Sequence, residues 1–233
     1  MNNLGKRILC MVLAFVIVTL PTCNVRAAAL STKEKNYYSN VLKNKQYVED
    51  TSYSIYDGGS FLLYDINHDG RKELIVGGPL GLRCAEFSII YSFDGKRFHK
   101  SETVTGTVSG VSSKGVEFTY YDYAQAGLIR YFEQSTYSFG KDGKLTLKLQ
   151  EYQEEETDVN TLKTKVTKHT YKKFVSGKAT RLKKNSYVSA RKKYSLKTAG
   201  ENYSYEENGK TVSKTFHVQT HLITAQNIKK YIK

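Results

Sequence analysis

Residues Phe61 to Gly78 read F-L-L-Y-D-I-N-H-D-G-R-K-E-L-I-V-G-G. Two short runs, Phe61 to Tyr64 and Leu74 to Val76, are apolar, aromatic or β-branched and flank a polar turn. Runs of that length and composition form strands rather than helices. The turn places Asp65, Asn67 and Asp69 at alternate positions, then Gly70, then Glu73. Alternate oxygen-bearing side chains on a tightly turning loop can all aim at one centre, and Gly70 supplies the backbone freedom the turn needs. Calcium takes six to eight hard oxygen ligands at roughly 2.3–2.6 Å. Asp65, Asn67, Asp69, the Arg71 carbonyl and Glu73 therefore form the expected cage, with water in the remaining positions. An Asp/Asn/Gly turn without metal is the simpler alternative, because these residues favour turns in any case. Four oxygen-bearing side chains in register between two strands favour the cation.

The opening D-x-N-x-D-G resembles an EF-hand loop, which would place a bidentate Glu at loop position 12. Counted from Asp65, that position is Val76, and the last acid is Glu73 at position 9. With strands on both sides, the segment resembles the D-x-[DN]-x-D-G-x-x-[DE]-L loops of FG-GAP and VCBS type. It also resembles a D-I-N-x-D-G-x-x-E-L-I segment of secreted, mostly uncharacterised proteins of Gram-positive bacteria. The likeness spans about 18 residues. It implies calcium binding and export, and it implies no reaction. His68 falls where such loops often carry Gly or Asn.

The amino terminus agrees with export. Lys6 and Arg7 precede an apolar run from Ile8 to Leu20, Pro21 ends it, and Ala27, Ala28 and Ala29 follow. That order is a secretory signal over residues 1–29, with cleavage near Ala27–Ala29. The apolar run is too short to anchor in a bilayer. A lipoprotein signal acylated at Cys23 is the minor alternative, with Leu20-Pro21-Thr22 a poor match to the small residues such sites prefer. Removal of the signal leaves Cys84 as the single cysteine, so no internal disulfide is expected. A small buried side chain is the ordinary role for such a cysteine.

Outward from the hairpin, the chain keeps to strands. Before it, Ser31 and Glu34 form a capping box. Tyr37/Tyr38, Val41/Leu42, Lys45 and Val48 then recur at steps of three and four, which predicts an amphipathic helix from Ser31 to Val48. After it, Asp94-Gly95, Lys114-Gly115, Asp142-Gly143 and Asn208-Gly209 punctuate runs rich in Thr, Val and Tyr. Leu145, Leu147 and Leu149 alternate with polar residues, which predicts that all three face one buried side. Thr224 caps a short helix, Ala225 to Ile232. The expected fold is α+β, mostly antiparallel β: an N-terminal amphipathic helix packed on a β-meander that carries the calcium hairpin, and a short C-terminal helix. The calcium motif does not recur, so a propeller is not expected. Residues 30–150 form the helix and meander. Residues 151–233 form a basic, β-rich half continuous with the same domain. The acidic stretch Glu151 to Asp158 is either a boundary between them or a solvated strand end.

Charge divides unevenly. Residues 30–150 carry 15 basic and 14 acidic side chains, and residues 151–233 carry 18 and 8. Between Val159 and Gly200 there are 13 Lys or Arg and no acid. Such a face attracts anionic cell-wall polymer or acidic glycan. It serves equally as a solvated surface. An exported chain has no nucleic acid to meet, and no later run is long enough to span a membrane. His217 and His221 are four apart, but within a strand pattern and without the H-E-x-x-H arrangement, so zinc is not expected.

No nucleophile elbow, cysteine–histidine motif or P-loop is present. Glu86, Glu117, Asp122 and Glu133 are acids from which folding could assemble a glycosidase pair, and the sequence selects none. The expected function is that of a secreted, non-enzymatic calcium-binding protein. The alternative is an adhesin-like polyanion-binding protein using the basic half. A hydrolase with an unrecognised site comes third.

Overall fold

A computed structural model describes residues 28–45, 59–80, 85–207 and 210–232. The signal segment before residue 28, Cys23, Cys84, Val48 and the Asn208-Gly209 turn lie outside the described residues.

In chain order the elements are α1 (Thr32–Lys43), β1 (Ser60–Tyr64), β2 (Glu73–Leu80), β3 (Ala85–Phe93), β4 (Phe98–Lys100), β5 (Val104–Thr105), β6 (Thr107–Ser112), β7 (Gly115–Ala124), β8 (Ile129–Phe139), β9 (Leu145–Thr157), β10 (Thr164–Val175), β11 (Lys178–Leu182), α2 (Lys184–Lys192), β12 (Lys197–Gly200), β13 (Tyr203–Glu207), β14 (Lys210–Lys214), β15 (Val218–Gln219), β16 (His221–Leu222) and α3 (Ala225–Tyr231). The protein is β-rich. One sheet runs β16-β1-β2-β3-β4, with β5 also on β3, and a second runs β11-β10-β9-β8-β7-β6-β12-β15. Among the described residues, pairing is antiparallel except between β12 and β15.

Alternation along the central strands explains how the layers stack, because successive side chains of a strand point to opposite faces. Phe61, Leu74, Val76, Phe87, Ile89 and Tyr91 share a buried cluster with Tyr38, Val41 and Leu42 of α1 and with Ile228 and Ile232 at the C-terminal helix. Their neighbours Leu62, Ile75 and Ile90 join a second cluster with Val111, Val116, Phe118, Phe139 and Leu145 of the second sheet. The first sheet is thus covered on both faces, which is why apolar residues stand at successive positions in its strands, as in Phe61-Leu62, Leu74-Ile75-Val76 and Ile89-Ile90-Tyr91. The far face of the second sheet carries α2 through Leu149, Tyr171 and Tyr187.

Helix α1 starts with the capping box: Ser31 accepts from the Glu34 N–H, and the Glu34 carboxylate accepts from the Ser31 N–H. Helix α3 starts with Thr224 accepting from the Asn227 N–H. The β3–β4 hairpin turns where Asp94 accepts from the N–H groups of Lys96 and Arg97.

Two expectations are corrected, and the acidic stretch takes the strand alternative. The meander from residue 61 to 150 is not one sheet. The chain changes sheets at Gly106, between β5 on β3 and β6 on β7. Gly106 has φ +111°, and a Cβ there would lie 2.8 Å from the Thr119 carbonyl oxygen, so a side chain would clash at the crossing. The leucines of β9 do not share one face. A bulge between the Thr136–Leu149 and Tyr137–Leu147 pairs inserts one residue into β9. It sends Leu145 to the inter-sheet core and Leu149 to the α2 side, because one extra residue reverses every side chain beyond it. The acidic stretch Glu151–Thr157 belongs to β9, between β8 and β10. Residue 150 falls inside that strand. The segment continues as strand because its carboxylates meet cations across the sheet. Glu155 pairs with Arg130, and Glu156 lies 3.4 Å from Lys165.

Candidate metal centre

The loop between β1 and β2 holds all five expected ligands. Asp65 follows β1 directly, and Glu73 opens β2 opposite Tyr64. Their strands are neighbours, so loop position 9 is brought back to loop position 1 by the ladder itself. Within the turn, the carboxylate of Asp65 accepts from the N–H groups of Asp69 (3.2 Å) and Gly70 (3.1 Å). Asn67 Oδ1 accepts from the Asp69 N–H at 3.0 Å, and Asp69 Oδ1 from the Arg71 N–H at 2.9 Å. The loop therefore turns through positive φ at His68 (57°) and Gly70 (84°) while its side chains satisfy the freed backbone groups.

Glu73 is the unusual member. It is 1% exposed. One carboxylate oxygen, Oε2, accepts from the Ile66 N–H at 2.9 Å; the other, Oε1, is buried with no hydrogen-bond partner. Burial raises its pKa to about 8, and the nearby charges of Asp69 and Asp65 push the same way against the Ile66 hydrogen bond. A buried carboxylate with an unpartnered oxygen, close to two further carboxylates, is a group in search of a cation or a proton.

The fit to calcium is one of donor chemistry. Every side-chain donor is a hard oxygen, and a carboxylate oxygen that accepts one N–H still has a lone pair free. Among the described residues, no three His, Cys, Asp or Glu side chains are gathered tightly enough to hold a metal by themselves. A cage here therefore needs Asn67, the Arg71 carbonyl and water, together with an inward turn of the carboxylates. The Arg71 side chain is directed away: it lies 3.8 Å from Glu34 and over the Phe93 ring. The backbone carbonyl is the oxygen Arg71 has to offer, since a guanidinium has no acceptor.

The N-terminal segment grips the same loop. The Ala28 N–H donates to the Gly70 carbonyl at 2.8 Å, and the Tyr38 hydroxyl donates to the Lys72 carbonyl at 3.0 Å. With the Glu34–Arg71 ion pair, these contacts join α1 to the turn on which the hairpin depends.

The other residues singled out in the sequence lie elsewhere. His221 stacks on Tyr231 with ring centres 3.6 Å apart, and His217 shares a hydrogen bond with Thr198. Glu117 is 1% exposed and held by Arg191 Nε and Nη2 at 2.5 and 2.6 Å. Ser109 and Thr136 also donate to it. Glu133 accepts from the Ser135 hydroxyl. Helix α2, which supplies Arg191, was not anticipated. Its trace in the sequence is the spacing of Tyr187, Ala190 and Tyr194, which strand-like flanks obscured.

Two placements of lysine side chains stand out. Lys165 and Lys168 face the acids and aromatic rings of β9, Lys168 lying over Tyr152. Lys114, Lys148, Lys173 and Lys193 instead surround a cleft of about 560 Å³ floored by Leu149, Phe174 and Tyr194. No acid lines that cleft among the described residues. No helix among the described residues is long and apolar enough to cross a membrane. Comparison with family models, curated proteins and solved structures finds no match to this chain.

Proposed function

We propose that the protein is a secreted, non-enzymatic calcium-binding protein in which Ca2+ closes the β1–β2 hairpin beneath helix α1. The observation that carries this reading is Glu73: a buried carboxylate oxygen without a partner, at the closing position of an Asp65–Asn67–Asp69 turn. The cation neutralises the mutual repulsion of three carboxylates. Asp65, Asn67, Asp69, the Arg71 carbonyl and Glu73 hold it. Because β1 and β2 lie inside the first sheet and α1 rests on the loop, the cation's effect reaches the whole core rather than one surface turn.

The test is a thermal melt in EDTA, in millimolar calcium and in millimolar magnesium. A ligand that binds only the folded state stabilises it by about 2.7 kcal/mol at a hundredfold excess over Kd. Calcium raises the melting temperature by several degrees, and magnesium, which needs a tighter octahedral cage, raises it far less. Equal melts in EDTA and calcium, together with a flat calorimetric titration, would sink the proposal.

A second reading is favoured by the cleft of four lysines. It makes this cleft, where Lys173 and Lys193 of the basic half meet Lys114 and Lys148, a binding face for anionic wall polymer or acidic glycan. Lysine attracts such chains as a point charge, through a field that salt screens over about 10 Å at 0.1 M. The protein is then retained on a teichoic-acid column at low salt and released as salt rises. Replacement of Lys173 and Lys193 by Ala advances the release, and elution that ignores salt counts against this reading.

A further inference from the structure

The second sheet extends beyond the ground covered by the first sheet and α2, and its outer end shows an organised surface. On the α2 side, Tyr121, Phe132 and Gln153 stand directly opposite one another on β7, β8 and β9. One row further out are Tyr123, Arg130 and Glu155. These six residues line a cleft of about 370 Å³. Tyr121 and Tyr123 are 56% and 61% exposed, although rings of this size normally bury most of their surface. Tyr121 packs against Phe132 at 5.2 Å between ring centres, so the platform is ordered without a ligand.

The row nearer α2 carries Gln134 and Glu151 on the same face. They line a second cleft of about 350 Å³ with Tyr187 and Arg191. The Tyr187 hydroxyl is buried there without a hydrogen-bond partner. Rows on one face are about 7 Å apart. The two clefts thus follow one another along the strands as a groove with an aromatic outer end and a mixed inner end, where Val188 and Leu196 join the polar groups.

Most charges along this groove are matched within the protein. Arg130 pairs with Glu155, His169 lies 2.8 Å from Glu151, and Arg191 is held by Glu117, while Lys192 adds a cation at the inner end. In a chain with a net charge of +14 the aromatic outer end is therefore a surface of paired charges. We propose that this groove binds an uncharged, linear glycan chain. A pyranose ring has a C–H face and a rim of hydroxyls. The C–H face suits the electron-rich faces of Tyr121, Tyr123 and Phe132. The hydroxyls suit planar donor and acceptor groups such as Gln153, Gln134, Arg130 and Glu155, which can each engage two neighbours. A protein partner would be expected to seek aliphatic side chains as well; these line the inner cleft alone, at Val188 and Leu196, and none lines the aromatic outer cleft among the described residues. A polyanion is better served by the four-lysine cleft.

The probes are cellohexaose, xylohexaose and mannohexaose, with polygalacturonate as the charged contrast, titrated calorimetrically into the protein. At least one neutral hexaose binds and perturbs tyrosine fluorescence, the chain having no tryptophan. Tyr121→Ala combined with Tyr123→Ala weakens that binding by about tenfold or more, since both rings are exposed and their stacking is lost without disturbing the core. Lys183→Ala leaves it unchanged. Binding of none of the three hexaoses, binding of polygalacturonate alone, or full affinity in the double tyrosine variant would each overturn the proposal. So would a concentration-dependent dimer that the double variant dissolves, because that assigns the face to a second copy of the chain. All titrations are run with and without EDTA, so failure here is separable from failure of the calcium reading.

Discussion

Glu73→Gln will make the calcium-free protein more stable at pH 8 and at the same time remove its response to calcium. Burial and the neighbouring acids place the Glu73 pKa at about 8 in the folded state, above the ordinary value of 4.5. A carboxyl group shifted upward costs the fold nothing at pH values below its unfolded pKa, where both states are protonated alike. Stability is then lost as pH rises from about 4.5 to about 8, because the unfolded chain gives up its proton first. The loss approaches about 1.4 kcal/mol per pH unit within the window. The melting temperature in EDTA therefore declines from pH 5 to pH 8. Glutamine stays neutral and can still accept from the Ile66 N–H, so the variant shows a flatter profile. Calcium acts in the opposite direction, since the cation displaces the proton from Glu73. Below pH 8 each ion bound releases close to one proton, and affinity falls about tenfold for each unit of acidification. Melts at several pH values and calorimetry in buffers of different ionisation enthalpy measure both effects. A pH-independent melt of the wild type in EDTA would remove the basis for the linkage. A calcium response retained in Glu73→Gln would remove Glu73 from the ligand set.

Arg191→Ala will destabilise the protein by about 3 kcal/mol, the largest loss expected from a single charged residue. Glu117 is fully buried in β7, and the Arg191 guanidinium grips both of its oxygens. Removing one partner of such a pair leaves an uncompensated buried charge, at a cost of roughly 3–5 kcal/mol. The lower end applies because Arg191 is 39% exposed and its charge is partly screened by water. Arg191→Lys recovers part of the loss, having the charge but not the planar fork. Replacing both residues together by Glu117→Met and Arg191→Leu brings stability back to within about 1–2 kcal/mol of the parent, because a buried ion pair adds little over apolar packing. Urea denaturation of the three variants measures this. The same pair anchors α2 to the second sheet, so Arg191→Ala also releases Tyr187 from its cluster. If Arg191→Ala were as stable as the wild type, the ion pair would not hold α2.

What could be read without the structure was local. The hairpin of β1 and β2, the Ser31–Glu34 capping box, the Asp94 turn and the Thr224 cap are all written within spans of a few residues. Side-chain period and turn chemistry act over that distance. The strand flanks of the Asp65 loop were legible for the same reason. The state of Glu73 was not, because its burial depends on the sheet and on the helix above it.

The rest was decided by contacts between distant segments. The change of sheet at Gly106 depends on where the Thr119 carbonyl lies. The reversal of Leu149 depends on one extra residue in β9, and nothing in the strict alternation of Leu145, Leu147 and Leu149 announces it. The stretch Glu151–Asp158 reads as a boundary or a solvated strand end, and only β8 and β10 place Arg130 beside Glu155 and Lys165 beside the half-exposed Glu156. Glu117 and Arg191 are 74 residues apart and form one buried unit. The composition alone determined a Tyr- and Thr-rich β protein with a basic carboxyl half and one oxygen-lined turn. Only the tertiary structure decided which charges are matched, which tyrosines stay at the surface and which carboxylate is buried, since each of these follows from pairing across the sheets and not from order along the chain.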